Sequence, residues 1–268
     1  MSRNGPLALA YHTLFVAFML APILVVCIVA FTPEGYLSFP TDRWSLRWFY
    51  AIGRYPEFIS AFWRSLWLGA LSSAIAVAFS VPAALAIARY RFRGREAMTA
   101  LFMSPLMIPH VVLGIAFLRF FTELGLGGTF VGLVLAHIVI VLPFALRLTL
   151  ASAVGLDRSI EHAAISLGAS EGTVLRRITL PLVLPGLISG WALAFINSFD
   201  EVTMTVFIAA PSTVTLPVRM FLYIQDNIDP LVTSVSACVI AITVVALVIL
   251  DRAYGLERVL VGRSVDGR

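Results

Sequence analysis

Charged residues in this chain leave six uncharged stretches, each long enough to cross a lipid bilayer, and that spacing limits what it can fold into. The stretches hold 30 residues between Arg3 and Glu34, 24 between Arg64 and Arg89, and 22 between Glu96 and Arg119. A further 23 lie between Glu123 and Arg147, 22 between Arg177 and Asp200, and 21 between Asp229 and Asp251. A bilayer core about 30 Å thick takes about 20 helical residues at about 1.5 Å each. The predicted spans are residues 8–31, 62–88, 97–120, 129–150, 183–208 and 231–250. The 17 uncharged residues from Glu201 to Arg219 contain Pro211 and Pro217, so they read as the end of the fifth helix and a loop. Composition agrees, since 60% of the 268 residues are hydrophobic and 13% charged, about half the charged share of a soluble domain. The expected fold is an all-α membrane protein, one domain of six transmembrane helices.

All 19 basic residues are arginine, and the sequence contains no lysine. That excludes a Walker A loop, whose lysine must reach the phosphates, and it excludes Schiff-base chemistry, which needs an amine. Any work driven by ATP therefore needs another chain. Arginines also orient the helices, because basic residues near helix ends stay on the cytoplasmic side. With both termini inside, Arg3, Arg89, Arg91, Arg93, Arg95, Arg147, Arg158, Arg176, Arg177, Arg252, Arg258, Arg263 and Arg268 are cytoplasmic, 13 of the 19. The sequence pI near 9.4 is then a topology signal. It does not argue for nucleic acid, since no aromatic stacking platform interleaves these arginines.

The first apolar stretch is longer than the roughly 7–15 residues of a signal-peptide core, and no A-x-A-like site follows it, so it is expected to remain as a helix. Cys27 and Cys238 fall inside spans and read as small buried apolar groups. On the outer side, the segment Thr32 to Arg54 carries Trp44, Trp48 and Tyr50, which suit a membrane interface.

Between the fourth and fifth spans, residues 151–179 are too polar to cross and too regular for a slack linker. Asp157 can cap a short helix through Ile160, Ala163, Ala164 and Leu167, ending at Gly168, where a left-handed turn costs least. Ser170, with Glu171 and Thr173, starts a second short helix carrying Val174, Leu175 and Ile178, which Leu180-Pro181 is expected to stop. The expected product is a helix, a glycine elbow and a helix, held beneath the membrane with apolar side chains exposed.

This pattern resembles the EAA loop of ABC importer permeases, E-A-A-x3-G-x9-I-x-L-P. Ala163-Ala164 is followed after three residues by Gly168, and after nine more by Ile178-Thr179-Leu180-Pro181. The motif glutamate falls on His162, with Glu161 one position earlier, so its role passes to one or the other. Gly190-Trp191-Ala192-Leu193-Ala194-Phe195, Ser198-Phe199-Asp200-Glu201-Val202 and Leu216-Pro217-Val218-Arg219 resemble the spermidine/putrescine-type permease subfamily. The resemblance implies the type I ABC importer permease fold, with residues 151–179 as a coupling loop that docks on an ATPase. It implies two cytoplasmic ATP-binding subunits, a second permease as a heteromeric homologue, and an extracytoplasmic solute-binding protein. This chain would bind no cofactor and catalyse no covalent chemistry, with ATP and magnesium on the partner ATPase subunits. It would be a multi-pass protein of the bacterial cytoplasmic membrane, in contact with lipid. The implied substrate is a polyamine or related organic amine; opines, small amino-acid derivatives and phosphonates belong to the same subfamily.

Inside the spans, a charge facing lipid costs about 2.5–3.5 kcal/mol, so Asp200 and Glu201 must face water, a partner or a cation. On a continuous helix, Ser198, Glu201 and Thr205 share a face beneath Trp191, and Asn197 lies one turn before the acids. Carboxylates beside an indole suit an ammonium group. The competing reading pairs these acids with Arg64, Arg119 or Arg219. His110 and His137 are expected as hydrogen-bonded core histidines, and Pro105, Pro109 and Pro143 as helix irregularities. No cluster suits a metal, and an ion-coupled secondary transporter would need a coupling-ion site at the midplane and usually a repeat or broken helix pair, whereas the sequence displays no convincing repeat.

Overall fold

The computed structural model describes residues 5–41 and 43–254. Arg3, Arg258, Arg263 and Arg268, assigned above to the cytoplasmic side, lie outside them. The described residues are helical almost throughout. The order is α1 (Pro6–Val29), α2 (Arg47–Ile52), α3 (Pro56–Arg89), α4 (Arg95–Met103), a 3-10 turn (Ser104–Met107), α5 (His110–Glu123), α6 (Phe130–Val154) and α7 (Arg158–Ser166). There follow α8 (Glu171–Val174), a π-helical turn (Leu175–Thr179), α9 (Leu180–Phe199), α10 (Thr205–Ile208), α11 (Leu216–Asp226) and α12 (Leu231–Tyr254). Five helices among the described residues are long and apolar enough to cross a membrane, and a bent pair makes a sixth.

That pair corrects the third predicted span, 97–120, which is two helical segments meeting at a bend of 101°. Pro109 has no N–H to continue the ladder and forces the residue before it out of helical geometry. Ile108 accordingly sits at φ −96° and ψ 128°. The fifth span, predicted as 183–208, is displaced too: a continuous apolar helix runs from Glu171 to Phe199, and the chain then breaks before α10. Leu180-Pro181 does not stop the helix. The π turn immediately before it shifts the hydrogen-bond register where the missing proline N–H would otherwise leave a gap.

Two compact units make up the chain. In the first, formed by the residues up to Ser60 with Met220–Ile249, Trp48 is buried and donates its indole N–H to Glu34 O at 2.9 Å. Trp48 is thus part of a folded segment, whereas Trp44 and Tyr50 are exposed. Phe31 packs against Trp44 and Phe49 at 5.7 and 4.9 Å between ring centroids. Asp229 accepts from the Leu231 N–H at 3.0 Å and starts α12. The phenol of Tyr223, donating to Asp229 at 2.7 Å, is pushed well above its usual range, first by burial and then by this carboxylate.

The second unit, built around Ala61–Arg219, rests on the pairing of α6 with α9, its most extensive helix contact. Its core joins Leu68 and Ala76 of α3, Leu133, Ile140, Val141 and Ala145 of α6, Ala194 of α9, and Met204. Gly186, Gly190, Ala194 and Ser198 recur every fourth residue along α9, a stripe of small residues that lets helix backbones approach in lipid. A Cβ on Gly186 would stand 2.3 Å from Ser152 Cβ and 2.9 Å from Leu148 O, and one on Gly190 3.1 Å from Ala145 O.

Candidate coupling loop and pathway site

The loop after α6 is shaped by local chemistry. Asp157 accepts from the Ser159 N–H at 2.9 Å and caps α7; that backbone bond holds its carboxyl below the usual carboxylate range. At the other end of α7, the Ala169 N–H reaches Ala164 O at 3.1 Å and the Gly168 N–H reaches Ile165 O at 2.9 Å. This double closure requires a left-handed residue, and Gly168 supplies it at φ +88°. Ser170 then caps α8, accepting from the Thr173 N–H. Val174 is buried.

Adjacent residues of α7 face opposite ways. Glu161 is buried at 6% exposure, while His162 and Ala163 are exposed, Ala164 is half-buried and Leu167 is 89% exposed. Ile160 and Ile165 are also exposed, so this short helix presents apolar side chains, interspersed with the exposed Arg158, Ser159 and His162, that nothing among the described residues covers. The Glu161 carboxylate accepts from the Arg89 guanidinium and from the Thr179 hydroxyl. Arg89 donates to the same hydroxyl at 3.1 Å. Ile178 and Leu180 are half-buried on either side of Thr179, and Pro181 is exposed.

The pathway candidates on α9 do not form one polar stripe. The helix ends at Phe199, so Glu201 and Thr205 lie beyond it and the expectation of a continuous helical face fails. Glu201 Oε1 accepts from the Met204 N–H at 2.6 Å, and its Oε2 pairs with His110 Nδ1 at 2.7 Å. A carboxylate that caps its own following turn competes with continuation of the helix. Glu201 is 7% exposed and His110 38%, so this acid has a histidine as its hydrogen-bond partner, and Arg119 pairs with Glu123 instead. Asp200 is exposed and makes no ion pair among the described residues. Asn197 turns its amide back to Leu193 O at 2.8 Å.

Ser198 and Thr205 are nevertheless brought together, by a residue from another helix. His137, fully buried in α6, bonds Ser198 Oγ through Nδ1 at 2.7 Å and Thr205 Oγ1 through Nε2 at 3.0 Å. Ser198 also meets Ser72 of α3 at 3.1 Å. His137 therefore spans the α9–α10 break and ties both ends of the segment that carries the two acids. Trp191 stacks on Phe195 at 5.4 Å, and Phe195 lies 5.9 Å from Phe199. Two phenyl rings thus separate the indole from the acids, which lie nine and ten residues further on, just past the end of α9.

The sequence reading passed over two features. The small-residue stripe on α9 was legible from its four-residue spacing alone. The pairing of His110 with Glu201 joins the break at Pro109 to the break after Phe199, and only helix packing could place two such distant residues 2.7 Å apart.

A protein family described as binding-protein-dependent transport system inner membrane component matches residues 76–256. Spermidine/putrescine transport system permease protein PotC of Haemophilus influenzae is 31% identical over 244 residues, covering 91% of this chain and 94% of that protein. Putrescine transport system permease protein PotI of Escherichia coli strain K12 is 30% identical over 230 residues, covering 83% and 82%. A solved bacterial ABC transporter involved in the import of the acidic polysaccharide alginate contains a similar chain, with a TM-score of 0.72 at 14% identity over 93% of this chain and 96% of that one. The MetNI methionine ABC transporter in an inward-facing form gives a TM-score of 0.61 at 18% identity over 79% and 99%. At these identities the structures establish a shared fold.

Proposed function

This chain belongs to the family of binding-protein-dependent transport system inner membrane components, the permeases of ABC importers, and from that premise we propose that it forms half of an organic-amine pathway driven by partner ATPases. The observation that carries the coupling half of this reading is the loop after α6: a capped helix, a glycine elbow at φ +88° and exposed apolar side chains at Ile160, Ile165 and Leu167. Such a surface needs a partner in water, and the absence of lysine assigns phosphate binding to that partner. Two ATP-binding subunits carry ATP and magnesium, a second, homologous permease completes the pathway, and an extracytoplasmic solute-binding protein delivers the substrate. Both termini and the loop lie on the cytoplasmic side, in accord with the arginine distribution. Closure of the ATPase dimer moves α7, and the spans alternate between outward-open and inward-open arrangements.

The substrate reading rests on charge. Asp200 is exposed at the break after α9 with no cation beside it among the described residues, and Glu201, bound to His110, sits next to it. A cationic amine gains from such a site, whereas a phosphonate would meet a like charge. The relatives named for spermidine and putrescine support the same class. Trp191 and the rings of Phe195 and Phe199 line the approach along α9, and Asn197 and Ser198 frame the break.

The test is reconstitution of the complete importer with its co-purified partners in proteoliposomes. ATP-dependent uptake of a labelled polyamine, suppressed by excess unlabelled polyamine and not by a phosphonate, is the expected result. Uptake without any ATPase would point to a secondary transporter. Uptake of the phosphonate in preference to the amine would sink the substrate assignment while leaving the coupling assignment intact.

A further inference from the structure

We propose that Glu161 is a positioning residue that fastens α7 to the end of α3 and to the turn leading into α9, so that one movement of the loop reaches both spans together. The inference rests on the coupling role given to the loop above. It starts from the one-residue shift of the acid in the motif. Successive residues on a helix point about 100° apart, so a carboxylate at 161 cannot face where one at 162 would. In this chain His162 takes the outward direction and Glu161 the inward one.

What the inward carboxylate meets is specific. Arg89 stands in the last turn of α3 and Thr179 in the π turn that runs directly into α9. Glu161 accepts from both, and Arg89 also donates to the Thr179 hydroxyl, which closes a three-membered ring of contacts from three elements. Thr179 is fully buried and the Arg89 side chain is 18% exposed, so water competes little for these groups. The anchor is firm on the α3 side. Ala84 and Ile87 of α3 pack with Leu146 of α6, against Met98 and Phe102 of α4. A nine-residue helix such as α7 is too short to hold its place by its own hydrogen bonds, and Glu161 is its buried residue. Removing that carboxylate leaves the outer surface in place but separates the helix from the spans it must move.

Docking and transmission therefore reside on opposite sides of one short helix, and variants can separate them. The experiment uses the complete importer, with two readouts: ATPase co-purifying with the permease, and ATP hydrolysed per molecule of polyamine imported. Glu161→Arg should keep ATPase co-purification within about twofold of wild type, reduce transport tenfold or more and raise the ATP consumed per import. Combining it with Arg89→Glu should restore at least a third of transport. His162→Asp and Leu167→Asp should instead reduce ATPase co-purification and transport in parallel.

A second measurement replaces the Glu161–Arg89 contact by a covalent link. With Cys27 and Cys238 replaced, Glu161→Cys and Arg89→Cys are joined by a short bifunctional crosslinker. Transport that is low before the crosslink and regained on forming it supports movement of α7 and α3 as one body. Transport that is high before the crosslink, or that the crosslink fails to raise, overturns the proposal, because the link between the two is then either dispensable or incompatible with the cycle. Loss of ATPase from Glu161→Arg in proportion to lost transport overturns it as well, since Glu161 would then be a docking residue. Full ATPase retention by Leu167→Asp overturns the coupling assignment beneath it, and the proposal with it.

Discussion

Replacing Gly186 by alanine tests the packing on which the second unit is built. The added Cβ would lie 2.3 Å from Ser152 Cβ, 2.9 Å from Ser152 Oγ and 2.9 Å from Leu148 O. Carbon atoms in contact sit about 3.5–4.0 Å apart, so α6 and α9 must separate by roughly 1 Å at this level. A flexible side chain could swing aside, but a Cβ and a carbonyl oxygen move only with their helix. Overpacking of this kind costs about 1–3 kcal/mol, and a displaced pair also strains the 2.7 Å bond between His137 and Ser198 further along, worth about 0.5–1.5 kcal/mol net. Alanine recovers about 0.8–1.0 kcal/mol of helix propensity over glycine. The expected net loss is about 1–3 kcal/mol, read as a lower midpoint of thermal unfolding for the purified permease complex in nanodiscs. Gly190→Ala, whose Cβ would sit 3.1 Å from Ala145 O, should change the midpoint far less. Ser152→Gly removes two of the three clashes, so the double variant should regain most of the loss. A Gly186→Ala protein as stable as wild type, or one that Ser152→Gly fails to rescue, would refute the close-approach argument.

Three further outcomes are expected. His137→Ala leaves the buried Thr205 hydroxyl without its imidazole partner and opens a cavity, so the unfolding midpoint should fall by the equivalent of about 2 kcal/mol or more, against almost no change for the exposed His162→Ala. Asp200→Asn should weaken polyamine uptake about tenfold with complex assembly unchanged in size-exclusion profiles; unaltered uptake would remove Asp200 from the pathway. Gly168→Leu forces a branched side chain to φ +88° at a cost of about 1–2 kcal/mol, and should reduce both ATPase co-purification and transport while the membrane helices remain folded by circular dichroism.

The loop was the most legible part of this protein because its structure is made by near neighbours. Asp157, Gly168 and Ser170 act on backbone groups within five residues of themselves, and spacing along the chain is enough to read such contacts. The same spacing suggested that Leu180-Pro181 would end a helix, and there local reasoning failed. A π turn absorbs the proline, and the buried Thr179 beside it is held by Glu161 and Arg89, 18 and 90 residues away. The acids of the fifth span were misread for a related reason. Helical periodicity puts Ser198, Glu201 and Thr205 on one face only if the helix continues, and the side chain of Glu201 takes the Met204 N–H at 2.6 Å and lets it end.

Charge spacing by itself determined that this chain carries six apolar stretches long enough for a membrane, because the cost of a charge in hydrocarbon is a property of the residue and its solvent. The absence of lysine likewise determined that this chain has no Walker A loop, because a missing amine cannot be supplied by folding. Tertiary structure alone decided the directions: Glu161 inward and His162 outward, Asp200 exposed and Glu201 bound to His110. These depend on which helix stands opposite, and the approach of α6 to α9 is set by atoms more than thirty residues apart in the chain.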